Sequence, residues 1–265
     1  MEKDNLKQNF NKSGTKAGNL AKNFMRSFSG AIDNLIYKIG KVDDASNLRS
    51  RIISGFIMLV IGISAIYFSK GLFLLLLISL TVAMSFEWVD LTKTAPKEER
   101  KKWHLIGFLY ILLPIFSILT LRDYDLVSGS DILFWMFAII VATDTFAYFA
   151  GKNFGGPKLM PSVSPSKTWS GIAGGVIASI IIGFLSSYMF AGSAIFFIFI
   201  SALLSILGQA SDLLESKVKR IFGVKDSGSI IPGHGGILDR FDAMVLVSPA
   251  TLLLVWIYSA EFISK

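Results

Sequence analysis

Apolar residues in this chain come in long unbroken runs, not at alternate or every-third positions. The runs cover roughly 52–68, 71–91, 105–121, 131–150, 170–191, 193–209 and 241–262. Each is near the ~20 residues a helix needs to cross a bilayer core. Backbone polar groups in lipid must bond within their own segment, so runs of this length predict helices and not open strands. The pattern predicts an all-α, polytopic membrane bundle of about seven spans, with room for a further break in 71–91 or before Asp131.

Ahead of the first run the pattern changes. Residues 1–19 are rich in Asn and Lys and poor in apolar groups, a composition that predicts disorder. Leu20, Phe24, Phe28, Ile32, Leu35, Ile36 and Ile39 then recur at helical spacing, which fits an amphipathic helix on the membrane surface or one packed on a neighbouring subunit. The expected division is a segment 1–49 on the cytoplasmic side and a transmembrane unit 50–265. The first long apolar run starts too late for a signal peptide.

Charge then sets the orientation. The net charge is +7, which in a soluble protein would suggest nucleic acid. Here ten of the 26 Lys and Arg fall in residues 1–51, a placement that points to anionic lipid and to membrane orientation, with no nucleic acid. Segments 92–104, 151–169 and 210–240 carry five, three and five Lys or Arg, whereas the opposite loops hold Lys70 and Arg122. A cytoplasmic N-terminus satisfies this asymmetry, and it puts 210–240 on the cytoplasmic side too. With no cysteine, disulfide, thiolate and zinc-thiolate chemistry are excluded.

The chemistry concentrates in Gly208–Asp242, where five acidic residues, five Lys or Arg and one His stand between two apolar runs. Asp212, Glu215 and Lys219 fall at i, i+3 and i+7 on one helical face, with Ser216 and Arg220 beside them. The glycines and Pro232 that follow cannot continue a helix, and they let backbone N–H groups approach an anion. Asp239 and Asp242 open the next apolar run. Asp239 alone fits a helix cap, which leaves the carboxylates on the preceding helix unexplained. Carboxylates on both sides of one loop suit a hard cation such as Mg²⁺. The bases around them, Lys217, Lys219, Arg220, Lys225, His234 and Arg240, suit phosphates.

Inside the spans, Asp144 would be costly against lipid and shares a face with Tyr148. Glu87, near the end of the second run, fits either a functional role or a structural hydrogen bond. After Asp144 comes GKNFGGPKLMPSVSPSKTWSG, residues 151–171. Its Ser164, Lys167 and Thr168 would offer hydroxyls, amides and a cation to a phosphate where the fifth span opens, although Ser and Pro also start helices for structural reasons. Gly171, Gly174 and Gly175 on that span suit either a lipid groove or close helix packing.

The run SKVKRIFGVKDSGSIIPGHGGILDRFD, residues 216–242, resembles the signature of the phosphatidate cytidylyltransferase (CDP-diacylglycerol synthase) family. The pattern matches at Ser216, Lys219, Arg220, Lys225, Asp226, Pro232, His234, Gly235, Gly236, Asp239, Arg240 and Asp242. Asp144, Tyr148 and the Ser-Pro-x-Lys-Thr segment resemble a second conserved block. Two positions depart: Ser170 stands where Glu is common, and Ser211 where Gly is usual. The resemblance implies that CTP and phosphatidate give CDP-diacylglycerol and pyrophosphate with Mg²⁺, with room for a second cation such as K⁺. It also implies a homodimer in the bacterial inner membrane.

On this reading Asp212 and Asp239 are the expected metal ligands, with Asp226, Glu215 and Asp242 as further ligands or supporting groups. Lys219, Arg220, Lys225, His234 and Arg240 are expected at the reacting phosphates. Asp144, Tyr148, Ser164, Lys167, Thr168, Ser216, Gly235 and Gly236 are expected to help bind substrate. Phosphatidate's own phosphate oxygen is ionised near neutral pH, so no protein base is required. Two alternatives stand beside this reading. One is a CTP-dependent enzyme acting on another lipid, such as a polyprenol kinase or an archaeal-lipid cytidylyltransferase. The other is a cation-coupled transporter, which would hold its carboxylates near the midplane and need no basic loop.

Overall fold

The computed structural model describes residues 60–125, 128–228 and 236–263. Residues 60–68 are helical, and Ser69 ends that stretch by capping the next. The long helices are α1 (Lys70–Thr92), α2 (Lys97–Arg122), α3 (Gly129–Phe154), α4 (Trp169–Met189) and α5 (Ala194–Ile221). A short α6 (Leu238–Phe241) leads into α7 (Met244–Ile263). Between α3 and α4 lies a small antiparallel hairpin of β1 (Lys158–Met160) and β2 (Ser164–Thr168).

Among the described residues, six stretches, α1 to α5 and Leu238–Tyr258, are long and apolar enough to cross a membrane. They follow the second to seventh apolar runs. The first run is helical from residue 60, and its earlier part lies outside the described residues, as do the 1–49 segment, His234 and Gly235. Phe116, Ile177 and Phe199 are exposed on the helix flanks. That is a cost in water and none in lipid.

Helix starts follow hydroxyl caps. Ser69 Oγ accepts from the Leu72 amide at 3.1 Å, Thr168 Oγ1 from Gly171 at 3.1 Å and Ser193 Oγ from Phe196 at 3.5 Å. Each satisfies one orphan amide of the first turn. Thr168 therefore closes strand β2 and opens α4, so Ser164–Thr168 is a strand and not the helix N-terminus expected from the sequence.

Packing explains the glycines of α4. A Cβ on Gly174 would lie 2.4 Å from Ala150 Cβ, and one on Gly183 would lie 2.4 Å from the Phe197 carbonyl. Gly171 and Gly175 are buried against Ala147 and Thr143. Of the two uses weighed for this face, close helix packing is the one observed; α4 lies tightly between α3 and α5. Thr143 Oγ1 and Ser205 Oγ, 2.9 Å apart, join α3 to α5, and Gln209 Nε2 reaches the same Ser205 oxygen at 3.4 Å. Such links give the hydroxyl of Thr143 and the amide of Gln209 an acceptor inside the bundle.

The main core draws Leu121, Leu133, Met136, Ile139, Leu204 and Val247 from α2, α3, α5 and α7, all fully buried. A smaller cluster of Met84, Trp88, Ile111 and Leu238 fixes α6 on α1 and α2. Trp88 Nε1 donates to the Trp103 carbonyl at 2.9 Å. This second cluster forms the floor of the polar end.

Candidate active site

Helix α5 runs on past its apolar part to Ile221 and carries Asp212, Glu215 and Lys219 on one face, as their spacing predicts. The chain then turns back through Gly223, whose φ of +70° suits glycine alone without strain. It re-enters at α6, and a turn at Asp242–Ala243 separates α6 from α7. That break swings Asp242 toward α5. Ser211 Oγ donates to the Asp242 carbonyl, and Asp242 Oδ1 accepts the Ala243 amide at 2.7 Å.

Three carboxylates converge there. Asp212, Glu215 and Asp242 each offer an oxygen, and these oxygens all lie within 4.8 Å of one another. Lys167, reaching over from β2, pairs with Asp212. Lys219 Nζ lies 2.7 Å from Glu215 Oε2 and 2.7 Å from Asp239 Oδ1. Glu215 is buried, yet neither of its oxygens has a well-aligned donor. Carboxylates this close repel unless a cation lies among them. Oxygen donors of this kind match a hard divalent ion better than a soft one.

Asp239 stands apart from this trio. Besides Lys219, its carboxylate accepts the Ser227 amide at 3.1 and 3.2 Å and the Gly236 amide at 2.7 Å. The structure thus brings together Asp212, Glu215 and Asp242, and it engages Asp239 with backbone donors and Lys219. Asp239 lies in the first turn of α6, whose N-cap is Ile237 with no side-chain cap bond, so it is not the helix cap that the sequence allowed.

The other expected residues spread around this centre. Lys225 and Asp226 are exposed in the α5–α6 connection, and Arg240 is exposed on α6. Arg220 ties two elements, donating from Nη1 to the Val224 carbonyl at 2.9 Å and from Nε to the Val163 carbonyl at 3.2 Å. Lys167 also reaches the Gln209 carbonyl at 3.4 Å. Asp144 feels the charges of Asp212, Lys167 and Arg240. Tyr148 is exposed, and its hydroxyl meets Lys152 Nζ at 3.5 Å on the same helix. Ser216 and Ser164 are half-buried on α5 and β2. Ser170, one of the two departures, donates to the Gly155 carbonyl and shares a 3.0 Å hydrogen bond with Thr168.

Two residues carry more than their sequence signal promised. Glu87 is 4% exposed and accepts the Ile237 amide at 2.9 Å, the Leu238 amide at 2.8 Å and the Ser227 hydroxyl at 3.4 Å. An acidic residue in a span was the available clue to Glu87. Ser227 offered none, since its partners are two carboxylates distant in sequence, Glu87 for its hydroxyl and Asp239 for its amide.

Carboxylates and lysines gathered where α5, α6 and β2 meet suit a membrane enzyme built for phosphate chemistry. Comparison with known proteins gives the family. The model of the cytidylyltransferase family matches residues 96–258. A Rickettsia typhi protein named phosphatidate cytidylyltransferase is 40% identical over 215 residues, covering 78% of this chain and 91% of its own. Proteins of the same name from Rickettsia felis (37% over 219 residues; 80% and 93% covered) and Brucella abortus (32% over 261 residues; 82% and 95%) also match. The chain belongs to the cytidylyltransferase family and is a nucleotidyltransferase.

Proposed function

We propose that this protein transfers the cytidylyl group of CTP to phosphatidate, giving CDP-diacylglycerol and pyrophosphate. The observation that carries the reading is the convergence of Asp212, Glu215 and Asp242 within 4.8 Å, flanked by Lys167 and Lys219. The names of the similar proteins support the choice of substrates.

An ionised oxygen of the phosphatidate phosphate attacks the α-phosphorus of CTP in line. A new P–O bond forms, and the bond from the α-phosphorus to the bridging oxygen breaks with its electron pair leaving on pyrophosphate. Both reactants are polyanions, so the protein's task is neutralisation and alignment. Asp212, Glu215 and Asp242 would hold Mg²⁺, which when bound screens the polyphosphate charge. Lys167, on the opposite wall, is drawn from Asp212 toward an arriving phosphate. Arg220, Lys225 and Arg240 attract the polyphosphates from the rim. His234, with Gly235 and Gly236, is proposed at the pyrophosphate, where its imidazolium could supply a proton. Asp226 lies beside Lys225 as a second-cation candidate, for example for K⁺. Asp144, Tyr148, Ser164, Thr168 and Ser216 are assigned to substrate contact.

The charge pattern of the loops supports a cytoplasmic N-terminus and a cytoplasmic site in the inner membrane. The family resemblance supports a homodimer. The test is purified protein in detergent with phosphatidate, labelled CTP and Mg²⁺. CDP-diacylglycerol is the expected product, and it should vanish with a chelator. Product from a polyprenol or archaeal-type lipid and none from phosphatidate would overturn the acceptor.

A further inference from the structure

We propose that Glu87 is a positioning residue: a buried peg in α1 that pins Ser227 at one end of the 227–238 segment and Ile237 and Leu238 at the other, and so sets the position of Asp242 beside Asp212 and Glu215. The inference rests on the reaction proposed above only for its kinetic part.

The geometry is specific. Segment 227–238 begins at Ser227 and ends at Leu238, and Glu87 holds both ends. Oε2 accepts the Ser227 hydroxyl at 3.4 Å and the Leu238 amide at 2.8 Å, while Oε1 accepts the Ile237 amide at 2.9 Å. Asp239 closes the same neck from the far side by accepting the amides of Ser227 and Gly236. Ser227 thus bridges two carboxylates that sit on different helices.

Glycine permits this. A Cβ on Gly228 would lie 2.6 Å from Glu87 Oε1, and one on Gly236 would lie 2.6 Å from Glu87 Oε2 and 2.2 Å from Ser227 Oγ. The backbone at both ends therefore closes directly on the carboxylate, with no room for side chains. Glycines in this motif are usually read as serving a phosphate; these two also make room for Glu87.

Both carboxylate oxygens are in use as acceptors of backbone N–H groups, which decides how substitutions behave. Glutamine has the same shape but one acceptor oxygen. Its NH₂ would face a backbone N–H, donor against donor, so one end must come loose. Aspartate keeps two acceptors but is one methylene short. Alanine leaves three donors without partners in a buried place.

The neck lies one residue from Asp239 and four from Asp242, and nothing else among the described residues joins α1 to this neck by side-chain hydrogen bonds. A displacement of about 1 Å at reacting groups costs on the order of 10²-fold in rate. A peg that only stabilised the fold would lower melting temperature and leave the turnover of the folded fraction unchanged.

The experiment compares wild type, Glu87→Gln and Gly228→Ala in detergent by hydrogen exchange without nucleotide or metal, and by steady-state kinetics with Mg²⁺. Both variants are expected to exchange faster by about tenfold or more in peptides spanning 223–240, with exchange in α3 and α4 unchanged. Their kcat should fall roughly 10- to 100-fold, with KM for phosphatidate within about threefold of wild type. Gly228→Ala leaves Glu87 itself in place, so it carries the test if Glu87→Gln fails to fold. Faster exchange with unchanged kcat would reduce Glu87 to a structural bond and overturn the proposal. Unchanged exchange would overturn it as well. A wild type unable to make CDP-diacylglycerol would overturn the reaction, and the exchange comparison would then decide the peg alone.

Discussion

Two groups of carboxylates lie side by side at one end of this bundle, and they are bonded in opposite ways. Glu87 and Asp239 accept backbone amides from Ser227, Gly236, Ile237 and Leu238. Asp212, Glu215 and Asp242 face one another, and of these three the Ala243 amide serves Asp242 alone. A carboxylate whose lone pairs are filled by amides has little left to give a metal, and it fixes the chain that supplies the amides. A carboxylate crowded by its own kind is held ready for a cation. The difference separates the groups that build the loop from those that would bind at it.

The largest expected effect comes from breaking the crowded group. Asp242→Asn or Asp212→Asn should lower kcat by about 10²- to 10³-fold. Without metal, the melting temperature of either variant should stay level or rise, since one like-charge repulsion is removed. Kinetics beside thermal unfolding in chelator checks both halves.

Breaking the saturated group should act on stability first. Asp239→Asn leaves Lys219 paired with Glu215 alone and turns an NH₂ toward an amide. A cost of about 3 kcal/mol is expected, the range for removing one partner of a buried ion pair. Denaturant unfolding in mixed micelles would measure it, and a loss below about 1 kcal/mol would place Asp239 with the trio instead.

The smallest effect is expected at Ser211, where the chain departs from the usual glycine. Its hydroxyl donates to the Asp242 carbonyl at the α6–α7 turn. Ser211→Gly should cost about 1–2 kcal/mol, from one hydrogen bond and one helical glycine. It should lower kcat only a few-fold, because Ser211 bonds the backbone carbonyl of Asp242 and not its carboxylate.

Much of this was legible in the sequence. The spans could be read because lipid demands apolar runs of fixed length, and the face of α5 because Asp212, Glu215 and Lys219 keep helical spacing. That Asp242, and not Asp239, lies beside Asp212 and Glu215 was not legible, since it depends on the break at Asp242–Ala243, and no periodicity announces a turn between two helical stretches. The hairpin before Trp169 was hidden for a related reason: Ser-Pro-Ser-Lys-Thr suits a strand or a helix start, and tertiary contact decides. Glu87 is the hardest case. Its partners are one hydroxyl and two amides about 140–150 residues away in the chain, and an amide looks the same in every residue type.

The division between the two groups is tested most directly by a Mg²⁺ titration of thermal stability in wild type, Asp242→Asn and Asp239→Asn. Wild type should gain about 3 kcal/mol at a hundredfold excess over its dissociation constant. Asp242→Asn should lose that metal-dependent gain, whereas Asp239→Asn should start from a lower melting temperature and keep it. The reverse pattern, with the gain lost in Asp239→Asn and kept in Asp242→Asn, would contradict the account.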